Sequence, residues 1–183
     1  MPRPARVVLI GFMGSGKSIV GRLLAARMGW QFADTDAVVV EREGASIARI
    51  FEAKGEPGFR EAEARALREL APRRNIVVAT GGGAPAQPGN AWFFTTSDEA
   101  EVAVFHLRVS LASVRERTHG DRGRPLLARG EAEVKKLYEG RLPLYERLGE
   151  GIETDNRSPE SIAEDITRRL DSPTRRRFPG DSA

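Results

Sequence analysis

The sequence predicts an α/β fold: a three-layer α/β/α sandwich around a central parallel five-stranded sheet. Two observations carry this. Short β-branched runs alternate with helix-forming segments along the chain, the order that parallel βαβ units require. The first run also stops at a glycine-rich loop leading directly into a helix, as at the carboxyl end of a parallel strand.

"RVVLIG", Arg6 to Gly11, is the first buried strand, because a continuous apolar run ending at glycine suits a strand covered on both faces. A helix follows from Lys17 to Met28 and stops at Gly29. "WQFAD" reads as the second strand. Helical segments follow at Ala37 to Glu43 and at Ser46 to Ala53; Gly55 and Pro57 interrupt, and Gly58 to Leu70 is helical again. "NIVVAT", Asn75 to Thr80, is the third strand and "EVAVFHL", Glu101 to Leu107, the fourth, where His106 reads as structural. Leu111 to Thr118 begins another helix, and Glu131 to Arg147 is helical around Pro143, which can bend or end it. "GIET" is the fifth strand, and Ser158 to Leu170 is a last helix with Pro159 at its first position. The stretch from Asn90 to Val102 reads as a connection into the fourth strand.

With 183 residues, the chain is long enough for one domain with a substantial core. Hydrophobic residues make up 40% and charged residues 30%, an ordinary globular balance. No run reaches the roughly 20 apolar residues of a membrane span, and the apolar core near the N-terminus is too short for a secretory signal. A cytoplasmic protein without a membrane partner is expected. The absence of cysteine excludes thiolate metal sites and thiol catalysis. The net charge of +3 does not point to nucleic acid: from Arg168 to Ala183 five arginines stand against two aspartates, so a solvated tail carries the whole excess.

"GFMGSGKS", Gly11 to Ser18, fits G-x-x-x-x-G-K-[S/T] in full, after a strand and opening a helix. Such a loop aims backbone N–H groups at phosphates, helped by the helix N-terminus. Gly14, Ser15, Gly16, Lys17 and Ser18 are therefore expected to bind a nucleoside triphosphate, with Lys17 on the β- and γ-phosphates and Ser18 on Mg²⁺. No acid ends the third strand, so Asp34, ending the second, is the candidate metal-side carboxylate. The bland alternative for "DTD" is a helix cap. No N-K-x-D guanine motif is present.

Four further features have ordinary explanations when taken singly. "GEPGFREAE" sets Arg60 and Glu63 one helical turn apart. "TGGGA" strips a strand end of side chains, where a ligand can approach closely. "DRGRPLL" places Arg122 and Arg124 in a loop suited to a mobile lid, and "YEGRLPLY" offers Arg141.

In their order and approximate spacing, the phosphate loop, "DTD", "GExxFRxxE", "GGG", "RPLL" and "RxPLY" resemble the shikimate kinase family from about Val7 to Leu170. The resemblance implies a P-loop, nucleoside-monophosphate-kinase-like fold: one kinase domain over 1–170, substrate-binding helices at about 37–70, a mobile lid at about 119–130, and a flexible Arg-rich tail at 171–183. It implies transfer of the γ-phosphate of ATP to the 3-hydroxyl of shikimate, with Mg²⁺, in aromatic amino-acid biosynthesis. Asp36 is then expected on the ring hydroxyls, Arg60 and Arg141 on the carboxylate, and Glu63 on Arg60. Gly81, Gly82 and Gly83 line the substrate, Gly82 through its backbone. Lys17, Asp36 and Arg124 form the catalytic set; Ser18 and Asp34 serve the metal. Arg117 and Arg157 fall near adenine, and Ile19, where the family often carries Thr, completes the expected ATP-binding set with Arg124. A monomer is the expected state. Rival readings are another P-loop sugar-acid kinase, such as a gluconate kinase, and a nucleotide-binding regulator without catalysis.

Overall fold

The computed structural model describes residues 4–95, 101–118 and 130–172. Five parallel strands form one sheet: β1 (Arg6–Ile10), β2 (Gln31–Asp34), β3 (Ile76–Ala79), β4 (Val102–Arg108) and β5 (Glu150–Glu153), in the order β2-β3-β1-β4-β5. β1 is central, with Val8 opposite Val78 on one side and Val104 on the other. Alternation along each strand sends side chains to opposite faces. Val7 and Leu9 of β1 pack with α1 (Lys17–Met28) and α6 (Pro159–Asp171) through Val20, Leu24, Ile162 and Ile166. Val8 and Ile10 pack on the opposite face with Leu67 and Leu70 of α3 (Ile47–Leu70), Val114 of α4 (Leu111–Thr118) and Tyr145 of α5 (Glu131–Leu148). This is the predicted three-layer sandwich.

Helix ends follow local chemistry. Gly16 and Gly29 bound α1 in left-handed conformation, and the Ser158 side chain accepts from Ser161 N ahead of Pro159 in α6. α2 (Thr35–Glu43) starts two residues earlier than predicted, because Asp34 caps it by accepting from Asp36 N at 3.0 Å. Asp36 therefore rides on the first helical turn. α3 is interrupted where the sequence suggested: Gly55 leaves helical geometry at φ 66°, ψ −175°. Its two halves and α2 share a small core of Val39, Ile50, Phe59, Ala62 and Ala66 beside the sheet edge. Pro143 does not end α5, which runs on to Leu148.

The connection before β4 is partly 3₁₀, over Ala84–Ala86 and Pro88–Phe94. It buries Phe93 and Phe94 in the core, and the buried Arg6 guanidinium lies 4.5 Å from the Phe93 ring centre while donating to Ala71 O at 2.5 Å. Part of the expected Asn90–Val102 connection thus closes the end of the sheet. No helix among the described residues is long and apolar enough to cross a membrane.

Candidate active site

Parallel strands bring their carboxyl ends to one edge, and a change of winding direction beside β1 opens a crevice there. The phosphate loop follows β1, Asp34 ends β2, and the glycine triplet follows β3. Gly11 must be glycine: its φ is 143°, and a Cβ would meet the Leu107 carbonyl at 2.6 Å. Lys17 Nζ donates to the carbonyls of Gly11 and Phe12, both at 2.8 Å, which holds the ammonium across its own loop. Ser18 Oγ donates to Asp34 Oδ2 at 2.5 Å. The capping and metal-side readings of Asp34 are thus compatible, since its two oxygens serve different partners. Two hard oxygen ligands meeting beside a phosphate loop suit Mg²⁺, which keeps several waters and takes the rest of its shell from phosphate. No group of three or more His, Cys, Asp or Glu suited to a metal occurs among the described residues, so a fully protein-caged ion does not fit.

Four further candidates, Asp36, Arg60, Glu63 and Arg141, converge on the glycine triplet. A Cβ on Gly81 would lie 2.5 Å from Glu63 Oε1 and 2.9 Å from Asp36 Oδ1. One on Gly82 would lie 3.6 Å from Arg141 Nη1, and one on Gly83 2.5 Å from Arg60 Nη2. Residues from α2, α3 and α5 therefore surround a backbone that side chains would obstruct. Arg60 Nη1 donates to Glu63 Oε2 at 2.8 Å, and Nη2 to Glu56 Oε1 at 3.1 Å. Glu63 is fully buried; burial pushes its carboxyl up to about 7, against the pull of Arg60 and with a further push from Asp36. Two hydroxyls that the sequence reading missed also touch the triplet: Thr35 Oγ1 accepts from Gly81 N at 2.9 Å, and the Tyr145 hydroxyl donates to Gly82 O at 2.5 Å. Their signal was faint, a Thr between two Asp and the last residue of "RLPLY".

Arg117 and Arg157 meet elsewhere, with Ser113, Glu116 and Asn156, around an open cleft of about 490 Å³. Arg117 is tied to the phosphate loop through Gly14 O at 3.1 Å and to Thr154 O at 3.1 Å. Arg157 donates to Asp165 and to Ser161 O. Ile19 is 59% exposed on the first turn of α1. Arg122 and Arg124, with 119–129 of the expected lid, lie outside the described residues, as does the expected tail from 173 onward.

The family model for shikimate kinase matches residues 13–171. This chain belongs to the shikimate kinase family. It is 39% identical over 164 residues to the shikimate kinase of Persephonella marina, an alignment covering 90% of this chain and 98% of that one. A solved shikimate kinase from Acinetobacter baumannii, in complex with shikimate, superposes with a TM-score of 0.84 at 36% identity, covering 91% of this chain and 92% of the other. A gluconokinase from Sinorhizobium meliloti matches with a TM-score of 0.58 at 20% identity over 93% of both chains, a likeness of fold alone. Membership of the shikimate kinases makes the chain an ATP-dependent phosphotransferase.

Proposed function

We propose that this kinase passes the γ-phosphate of ATP to a ring hydroxyl of shikimate, in aromatic amino-acid biosynthesis, and that two arms of the crevice divide the work. The observation carrying the reading is the convergence of Asp36, Arg60, Glu63 and Arg141 on the glycine triplet, one loop away from Lys17. Shikimate is a hydroxylated ring with a carboxylate at one end. Two guanidinium groups suit the carboxylate, since their planar forks bind it through paired hydrogen bonds. Asp36 suits the hydroxyls, and Glu63 holds Arg60 in place.

On the nucleotide arm, Gly14, Ser15 and Gly16 cradle phosphate and Lys17 neutralises it, while Arg117 and Arg157 frame the base. Ser18 and Asp34 would hold Mg²⁺, which would supply screening of the phosphate charge when bound. The hydroxyl oxygen attacks the γ-phosphorus, the bond to the β–γ bridging oxygen breaks, and the hydroxyl proton leaves toward Asp36. Alignment and charge stabilisation supply most of the rate in such transfers. Arg124 belongs to the same catalytic set through the sequence resemblance. The protein acts as a cytoplasmic monomer on two small molecules, and nucleic acid plays no part.

A coupled ADP-release assay with shikimate and gluconate tests the reading. Turnover of shikimate is expected, with a large loss in kcat/KM for Asp36→Asn and Arg60→Ala. Turnover of gluconate alone would overturn it, and intact ATP binding without turnover of either acid would favour a silent regulator.

A further inference from the structure

The glycine triplet is gripped from two sides by hydroxyls on different helices. Thr35, on the first turn of α2, is fully buried, and its Oγ1 takes the Gly81 N–H at 2.9 Å. Tyr145, 1% exposed on α5, donates its phenolic proton to the Gly82 carbonyl at 2.5 Å. Tyr145 lies one helical turn beyond Arg141, close enough for the guanidinium charge to act on its phenol. The Tyr145 ring is held in turn by His106 of β4, with ring centres 5.1 Å apart. Burial raises the phenol to about 12, so it remains a neutral donor in any ordinary buffer. Two more backbone bonds, Ala84 N to Gly81 O at 3.0 Å and Ala86 N to Gly83 O at 3.1 Å, complete the grip. Among the described residues, the N–H groups of Gly82 and Gly83 are left without a hydrogen-bond acceptor.

This pattern has a physical consequence. A peptide without side chains has a wide choice of conformations, and three glycines in a row widen it further. Fixing the Gly81 N–H and the Gly82 carbonyl sets the orientation of the intervening peptide. It thereby sets how the triplet backbone sits against Asp36, Glu63, Arg141 and Arg60. The partners of the two hydroxyls are Gly81 N and Gly82 O of the triplet, not groups of the phosphate loop.

We propose that Thr35 and Tyr145 are positioning residues for the acceptor, two hydroxyls that lock the glycine loop in register with the carboxylates and arginines around it. The inference rests on shikimate occupying this arm. Steady-state kinetics with both substrates varied, together with thermal melts, test it. Tyr145→Phe and Thr35→Val keep shape and remove one hydroxyl each. Each is expected to raise the KM for shikimate about fivefold or more, the cost of one unpaired buried polar group, with the KM for ATP within about twofold. Thr35→Ser restores the acceptor oxygen and should recover the wild-type KM for shikimate. An unchanged KM for shikimate in Tyr145→Phe would overturn the proposal. So would equal rises in both KM values with a falling Tm, or failure of Thr35→Ser to rescue. Arg60→Ala in the same assay separates the levels. If it raises the shikimate KM while the hydroxyl variants do not, only the positioning role falls; if it does not, the acceptor-arm assignment falls as well.

Discussion

The two oxygens of Asp34 face different partners, Oδ2 the Ser18 hydroxyl and Oδ1 the Asp36 N–H, and substitution can separate them. Asparagine caps a helix about as well as aspartate but brings no charge to a metal. Asp34→Asn should therefore keep Tm within about 2 °C while raising the Mg²⁺ needed for half-maximal activity about tenfold, read from a Mg²⁺ titration. Asp34→Ala loses both, and its Tm should fall by about 3 °C, the worth of one cap in a domain of this size. At Glu63 the decisive quantity is protonation. Burial brings its carboxyl to about 7, close to working pH, so a rising pH charges the group that holds Arg60. The KM for shikimate should fall as pH rises through about 7 and flatten in Glu63→Gln, a profile measured by varying shikimate at saturating ATP.

Among the elements, α3 is built around its break. Gly55 adopts φ 66°, ψ −175°, a region essentially closed to side-chain-bearing residues, and Pro57 stands two residues on. The break lets the first half of α3 pack Ile50 against α2 while the second half delivers Arg60 and Glu63 to the glycine triplet. Strain of about 1–3 kcal/mol at such a position implies that Gly55→Ala lowers Tm by about 5 °C, measured by calorimetry. The surface pairs joining α2 to α3, Arg42 with Glu69 and Glu43 with Lys54 and Arg65, contribute less, because exposed ion pairs are screened by solvent. α5 passes through Pro143 to bring both Arg141 and Tyr145 to the triplet, so continuity of that helix matters more to the site than its surface charges.

For the molecule as a whole, two buried groups pull stability in opposite directions with pH. His106, in β4, has its imidazole lowered to about 4 by burial, then by the charges of Arg108 and Lys17. It folds neutral, so its contribution is present above the ordinary 6.5 and lost as pH falls from there through about 4. Glu63 folds protonated up to about 7, while its ordinary value is 4.5. Its contribution is full below 4.5 and lost as pH rises through 7. Thermal melts across pH 4 to 7 should show His106→Leu losing less Tm on acidification than the wild type, by about 5 °C at the acid end. Glu63→Gln should remove the opposing loss toward neutral pH. Equal pH slopes in wild type and His106→Leu would exclude His106 as the acid-sensitive group.

Local signals made much of the molecule legible in the sequence. β1, the phosphate loop and α1 are contiguous, so their apolar run, glycines and helix-stop residue specify them without help from the rest of the chain. Lys17 and Ser18 stand within that contiguous segment, whereas Asp34 stood out because no acid ends the third strand. Arg60, Glu63 and Arg141 stood out as motif residues, but isolated arginines and acids on helices are ordinary surface features, and only the packing of α2, α3 and α5 against one edge makes them a group. Thr35 and Tyr145 carried too little local signal, since a hydroxyl beside a charged motif has no partner until the chain folds. The burial of Phe93 beneath Arg6 was likewise illegible, because the partners lie on β1 and a 3₁₀ segment far along the chain. The sequence alone determined the alternation of strands and helices, the phosphate loop and the chemical types available, because each depends on neighbours within a few residues. Only the tertiary structure decided which carboxylates, guanidinium groups and hydroxyls share the glycine triplet, because that depends on where parallel strands end and helices pack.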